Sequence, residues 1–405
     1  MKTNNTPKLR FKEFTDGWQE KKLGDSGVKV IDGDRGANYP NGNDFSDFGH
    51  CLFLNAKNVT DSGFSFLETS FITAQKDTKM RKGKLEESDL VLTTRGTVGN
   101  VAFFNETIPY RNMRVNSGMV ILRSEPEKVD PNYLYLLSNS PVFINQIKKI
   151  SFGSAQPQLT VKDIQKLKLP IPNIKEQQKI ADFLTEIDDK IGKLDENKKA
   201  FEKYKKGIMQ AIFSQKIRFK KQNGKLAGRS LGEGGDFPDW EEKKFDDIFA
   251  SVPTKPYQIL NNQFESTGSY PVVDQGQQKI AGYINDSKKV FTNLPVVVFG
   301  DHTTFLKYID FKFVVGADGT KLLKSKNKDD LSFLFYALEF HKIKPEGYKR
   351  HYSILRTLEF LMPELREQQK IAEFLTSLDN KVNLINNQLE QAKLFKKSLL
   401  QKMFV

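Results

Sequence analysis

The sequence predicts an α+β protein: two α+β domains alternating with two long helices that pair as an antiparallel coiled coil, the whole pseudo-two-fold symmetric. Three observations predict it. Glu176-Gln177-Gln178-Lys179-Ile180-Ala181, followed by Phe183-Leu184-Thr185, returns as Glu367-Gln368-Gln369-Lys370-Ile371-Ala372, followed by Phe374-Leu375-Thr376, at an offset of 191. Alternate steps of four and three then run from Ile180 through Leu184, Ile187, Ile191, Leu194, Lys198, Phe201, Lys205, Ile208 and Ile212. The same steps run from Ile371 through Leu375, Leu378, Val382, Ile385, Leu389, Ala392, Lys396, Leu399 and Met403. A 3.5-residue apolar spacing makes a narrow seam that keeps facing a partner helix only through left-handed supercoiling, so it marks a coiled coil. Finally, Lys8-Leu9-Arg10-Phe11-Lys12 matches Lys216-Ile217-Arg218-Phe219-Lys220, and the Trp18 to Leu23 run matches Trp240 to Phe245, so the repeat is a whole half-chain.

In chain order, residues 1–170 form a lead-in and a first α+β domain. Short β-rich runs at Val28 to Ile31, Cys51 to Leu54, Leu90 to Thr94, Val101 to Phe104 and Met119 to Leu122 are bounded by Gly, Asn and Asp, and Asn132 to Ile150 has helical spacing. Residues 171–216 hold the first helix, opened by Pro172 and by Asn173 with Glu176 at capping-box spacing. Residues 217–362 hold a Gly-rich linker from Gln222 to Gly235 and a second domain. Its strand-like runs are Val272 and Val273, Val290 and Phe291, Val296 to Phe299, Tyr308 to Val315 and Lys321 to Leu323, with a helix from Leu331 to His341. Residues 363–405 repeat the helix. If each domain brings its own ends together, the second helix must run back along the first, and the N-terminus lies beside the C-terminus as in a nearly circular chain. A helix from Glu176 to Phe213 would be roughly 57 Å long, an upper limit on the domain separation.

Composition narrows the function. With 63 Lys+Arg against 50 Asp+Glu, the net charge of +13 favours an anionic partner. One cysteine, Cys51, excludes an intrachain disulfide framework, and four scattered histidines leave too few soft ligands for a structural zinc. Neither an apolar leader nor a membrane-length run occurs, so a soluble, unexported, cytoplasmic protein is expected. There is no Gly-x4-Gly-Lys-Ser/Thr loop for a nucleotide and no Asn/Asp-Pro-Pro-Tyr segment to hold an adenine amino group. Pro238-Asp239 with Glu241 and Lys243 superficially suggests a nuclease motif, but the match to the Trp18 lead-in explains those residues better.

A spacer holding two different basic domains in two-fold relation suits duplex DNA, whose readers often bind paired half-sites. Because the domains differ, two distinct half-sites with an unread gap are expected. The order of variable domain, repeated helix, variable domain, repeated helix, with Pro170-Ile171-Pro172 ahead of the Glu176 motif and its second copy, resembles the specificity subunit of a type I restriction-modification system over nearly the whole chain. That resemblance implies two target recognition domains, each reading half of a split double-stranded DNA site in a bacterial or archaeal cytoplasm. It implies a chain that does no chemistry and binds no cofactor. Two methyltransferase subunits would dock on the helices and bring S-adenosylmethionine to methylate adenine; restriction subunits would bring ATP and Mg to translocate and cut. The competing reading is a coiled-coil scaffold that binds nucleic acid without sequence preference.

Candidate readers follow from groove chemistry: Arg or Lys on guanine, Asn or Gln on adenine, Asp or Glu on cytosine, and Lys, Arg, Ser, Thr or backbone amides on phosphate. In the first domain these are Thr94, Arg95, Gly96, Thr97 and Asn100 on one loop, Arg111, Asn112, Arg114 and Asn116 on a second, and Gln156 and Gln158 on a third. In the second domain they are Gln275 and Gln277; Asp301, His302, Thr303 and Thr304; Lys321; and Tyr348, Lys349, Arg350 and His351. The offset of 191 places the last group where Gln158 stands. A tight hairpin is the competing reading for Arg95, and a core histidine beside Asp301 for His302. The run Lys198, Lys199, Lys203, Lys205 and Lys206 reads first as a solvated helix face, and otherwise as phosphate contacts over the gap or a docking surface.

Overall fold

The structure, a computed structural model, describes residues 6–151, 158–220, 226–228, 237–260, 263–316, 318–347 and 349–404. Two long helices, Ile174–Phe213 and Leu365–Met403, are continuous as the heptads require. The chain divides into two compact units, 1–194 with 388–405 and 195–387, so each unit takes one half of each helix.

Within the first unit, Gln19–Lys22 pairs antiparallel with Lys168–Ile171, so the domain's entry and exit strands lie side by side. An antiparallel four-stranded sheet follows in the order Val28–Asp32, Met119–Ser124, Leu90–Thr93, Val101–Phe103. A smaller sheet places Cys51–Leu54 between Phe71–Ile72 and the parallel strand Met113–Val115. The second unit repeats this plan. Glu241–Lys244 pairs with Glu359–Met362, and the four-stranded order is Phe249–Val252, Thr320–Ser325, Val296–Gly300, Leu306–Ile309. Tyr270–Val273 lies parallel to Phe313–Gly316 as Cys51–Leu54 does to Met113–Val115.

Two sequence expectations need correction. The helical spacing from Asn132 to Ile150 resolves into two helices, Pro131–Ser138 and Pro141–Ser151: Asn139 and Ser140 end the first turn stack and Pro141 starts the next. The strand-like run Tyr308 to Val315 is two strands, Leu306–Ile309 and Phe313–Gly316, belonging to different sheets.

The heptad positions of the seam are buried or half-buried. Ile180, Leu184 and Leu389 in the first unit and Ile371, Leu375 and Ile385 in the second are buried, whereas Ile187, Ile191, Leu194, Ile208, Leu378 and Val382 are half-buried. Pairing is antiparallel inside a unit: in the second, Lys205 meets Asp379 at 2.6 Å, while Lys198, seven residues earlier, reaches Asn386, seven residues later, at 2.8 Å. In the first unit Lys396 meets Asp188 at 2.6 Å. These are equivalent pairs of the repeat, with the roles of the helices exchanged. The basic run is therefore not one face: Lys198 and Lys205 turn into the seam, Lys199 binds Asp195 four residues back, and Lys203 and Lys206 are exposed. The near-circular connection also holds within the first unit, where Leu9 N–H donates to Lys402 O (2.9 Å) and Leu399, Met403 and Phe404 join the core formed by Trp18, Tyr133, Ile180 and Leu184.

The repeated motif has a structural meaning. Glu176 and Glu367 are each 0% exposed. Arg10 Nε and Nη2 donate to the two Glu176 oxygens at 2.7 and 2.8 Å, and Trp18 Nε1 donates at 3.1 Å. Arg218 and Trp240 repeat this on Glu367 at 3.1, 2.7 and 3.0 Å. A bidentate guanidinium and an indole N–H satisfy a carboxylate that could not otherwise be buried, and the Glu176 bonds raise the Arg10 pKa above its usual value. Asn173 Oδ1 does accept from Glu176 N–H at 2.9 Å, but the Glu176 carboxylate goes to the lead-in instead of returning to the cap. The next residues hold the domains: Gln177 Oε1 accepts from Asp130 N–H and Gln368 Oε1 from Asp330 N–H, both at 2.9 Å, and both aspartates cap helices.

Candidate nucleic-acid interface

In each unit, loops far apart in sequence converge at one end of the strands. Thr94 and Arg95 N–H groups donate to Gly118 O at 2.8 and 3.2 Å, and Leu159 N–H donates to Thr94 O at 3.0 Å. In the second unit, Asp301 N–H donates to Gly319 O and His351 N–H to Asp301 O, both at 2.7 Å. The three candidate loops of each domain thus meet in the same way, and the Gln158 and Lys349 segments make equivalent hydrogen bonds through Leu159 and His351, one residue away from the offset of 191. A fourth loop joins each cluster, after Cys51–Leu54 and after Tyr270–Val273. Asn116 N–H donates to Leu54 O at 3.1 Å, and Gln275 ties its neighbours by accepting from His302 N–H (3.1 Å) and donating to Asp318 O (2.9 Å).

Side chains presented outward by these loops are Arg95, Thr97 and Gln158 in the first unit and Gln277, Lys349 and Arg350 in the second, all exposed; Gly96 is exposed beside Arg95. Gly96 has φ +74°, a left-handed conformation that keeps the loop tight and its backbone approachable. Lys321 and His302 are half-buried at the rim. Lys321 Nζ stands 3.7 Å from Asp301 and 5.4 Å from the Tyr352 ring centre, and His302 Nδ1 lies 3.1 Å from Lys349 O.

Other expected readers are held inside the fold or stand away from the loop cluster. Arg114 is 5% exposed. It donates to Asp77 Oδ1 at 2.5 Å and to the carbonyls of Asp77, Met80 and Lys82, so it fastens the helix Ala74–Lys79 to the small sheet. Burial pushes the Asp77 pKa up, but the bonds from Lys84 and Arg114 prevail and hold it below the usual carboxylate range. Strand Met113–Val115 also separates Arg111 and Asn112 from Asn116. Arg111 donates to the carbonyls of Asn105 and Glu106, and Asn112 O accepts from Leu52 N–H, at the opposite end of that strand from the loop cluster.

Thr94 is buried beneath Arg95. Asn100 spends its amide on Val59 O (3.1 Å), and Asn116 accepts from Gly118 N–H (2.9 Å). Asp301, Thr304 and His351 are buried; Thr303 Oγ1 donates to Gln275 O. His351, not His302, is the core histidine beside Asp301. Its Nδ1 lies 3.0 Å from Asp301 O and its Nε2 accepts from Glu346 N–H at 3.0 Å, which requires the neutral Nδ1–H tautomer. Gln156 and Tyr348 lie outside the described residues, as does most of the Gln222 to Gly235 linker, whose described part, Leu226–Gly228, is a strand paired antiparallel with Ile217–Phe219.

Sequence reasoning missed the loop after the first strand of each four-stranded sheet. Arg35 Nη2 on that loop donates to Ser117 O at 3.2 Å, and Gln258 Nε2, on the short strand Gln258–Ile259 that follows it in the second unit, donates to Asp318 Oδ1 at 3.0 Å, so both segments flank the cluster. The signal was weak, because their neighbours on the surface lie 82 and 60 positions away in sequence. Among the described residues no group of three His, Cys, Asp or Glu could hold a metal ion, and no helix is long and apolar enough to cross a membrane. Cys51 is buried, and burial pushes its thiol up to about 12, so it is not a nucleophile at neutral pH.

Two copies of one α+β frame, each with its own loop cluster and its own share of a helical seam, define a two-module DNA-recognition chain. The chain belongs to the family described as the type I restriction modification DNA specificity domain, which matches twice, over residues 15–201 and 238–394. It is a DNA sequence-recognition subunit, and the sequence-independent scaffold is not favoured. It is 24% identical over 371 residues, 83% of this chain and 84% of the relative, to the type I restriction enzyme MjaVIII specificity subunit of Methanocaldococcus jannaschii. Its fold is similar to the S subunit of the type I restriction-modification system from M. genitalium (TM-score 0.65, 15% identity, 99% of both chains covered). It is also similar to a chain from a structure addressing complex assembly and conformational transition of the type I system (TM-score 0.54, 16% identity, 96% and 97% covered).

Proposed function

We propose that each unit reads one half of a bipartite, asymmetric double-stranded DNA target through its loop cluster, and that the paired helices set the unread gap. The observation that carries this is the contrast between the repeated support and the unrepeated loops: Glu176 and Glu367 make the same three hydrogen bonds, while Arg95 stands where the second unit has His302 and Gln158 where it has Arg350. Sequence choice then resides in the loops. The net charge of +13 supplies the sequence-independent attraction.

In this reading the chain is non-catalytic and holds no cofactor. Its helices dock two methyltransferase subunits, which use S-adenosylmethionine to methylate adenine N6, and restriction subunits, which use ATP and Mg. A relative named for assembly of the type I system supports a multi-subunit setting. The test is a matched insertion of one heptad in both helices: the assembled complex should methylate sites with a wider gap and unchanged half-sites. An unchanged gap would refute the spacer role.

A further inference from the structure

Within the second unit a cleft of about 230 Å³ opens beside the loop cluster, lined by Lys255, Gln258, Asp318, Lys321 and Arg350 among others. Asp318 is exposed on the turn between Phe313–Gly316 and Thr320–Ser325. That turn is fixed from two sides. Asp318 O accepts from Gln275 Nε2 at 2.9 Å, and Asp318 Oδ1 accepts from Gln258 Nε2 at 3.0 Å. Gly319 follows at φ +86°, where an added Cβ would stand 2.7 Å from Gln275 Oε1 and 2.8 Å from His302 Cδ2. The carboxylate is therefore held in place on the surface that carries Lys321, Lys349 and Arg350.

A carboxylate there is unfavourable toward phosphate, since like charges repel and the surface otherwise attracts the backbone. It becomes favourable only opposite a hydrogen-bond donor, and in the major groove the bases offer donors as the exocyclic amino groups of cytosine N4 and adenine N6. Thymine O4 and guanine O6 are acceptors and would oppose it. Resting on the reading of this surface as the DNA interface, we propose that Asp318, held by Gln258, is a specificity-determining residue that accepts a hydrogen bond from the amino group of a cytosine or adenine in the second half-site. The first unit has no carboxylate at this place: the corresponding turn is Asn116-Ser117-Gly118, whose Ser117 O takes Arg35. Amino-group selection of this kind belongs to one half of the target only.

The test uses the full chain assembled with its methyltransferase partners and a library of duplexes randomised in both half-sites, comparing wild type with Asp318→Asn and Asp318→Ala. At one position of the second half, preference for an amino-bearing base should fall about tenfold in Asp318→Ala, and Asp318→Asn, whose amide both accepts and donates, should select adenine there, while the first half is read as before, which also reports correct assembly. An unchanged second half with uniformly tighter binding would overturn the proposal, because it would show a charge that merely opposes phosphate; loss of both halves together would overturn it too. If the wild-type complex selects no bases in a second half at all, the functional reading fails instead.

Discussion

The two units differ least where they are most deeply buried and most where they meet solvent. Around Glu176 and Glu367 the partners are chemically identical, Arg and Trp in each case, with distances agreeing within a few tenths of an ångström. At the loop clusters the same backbone hydrogen bonds carry unrelated side chains: Arg95, Ser117 and Gln158 in one unit, and His302, Asp318 and Arg350 in the other. The seam lies between these extremes. Lys396 has Asp188, whereas Lys205 has Asp379 at 2.6 Å, Glu339 at 3.3 Å and the Tyr336 ring at 5.1 Å. A repeat can thus exchange its readers because its frame is closed by buried pairs that never touch the target.

The comparison breaks most severely if a frame carboxylate is removed. Glu176→Ala or Glu367→Ala leaves a guanidinium and an indole N–H buried without their acceptor. Each should cost about 3–5 kcal/mol, measured by denaturant unfolding, with similar losses in the two units; a loss below about 1 kcal/mol in either would show the pairs to be dispensable. Arg114→Met and Arg95→Ala should separate support from reader in the first unit. The former loses about 3 kcal/mol of stability by leaving Asp77 with Lys84 and without its buried guanidinium, and keeps the bases selected. The latter keeps stability and loses roughly 1–3 kcal/mol of discrimination in the first half-site alone, read by methylation of substituted duplexes.

Smaller and pH-dependent effects should distinguish the seam lysines. Burial raises the Glu339 pKa, partly offset by Lys205. Above the unfolded carboxylate value the unfolded state ionises first, so this group's contribution to stability declines as pH rises toward its folded value. Lys205→Met removes the offset and should deepen that decline above the unfolded carboxylate pKa, followed by the urea midpoint. Lys396→Met, with its single half-buried pair to Asp188, should cost no more than about 1 kcal/mol and leave the slope unaltered. Equal slopes in the two variants would contradict the asymmetry.

The helices, their register and the half-chain repeat are legible in the sequence because heptads and caps are local signals, and identity at a constant offset needs no tertiary knowledge. The loops rich in Arg, Gln and Asn mark where the clusters form, yet composition does not tell a reader from a brace. Arg114 looks like Arg95 in sequence, and only the placement of Asp77, 37 residues away, commits it to the interior. Glu176 was visible as a repeated residue, but its role depends on Arg10 and Trp18, 166 and 158 residues earlier. Strand order was unreadable for the same reason, since Val28–Asp32 pairs with Met119–Ser124 across the intervening strands.

The central claim is that sequence choice is divided between the two loop clusters on a shared frame. Exchanging residues 19–170 for the recognition domain of another family member, then mapping methylated adenines genome-wide in a host carrying the assembled complex, tests it most directly. The account predicts a motif whose first half is replaced while the second half and the gap are retained. A motif altered in both halves, or in neither, would contradict it.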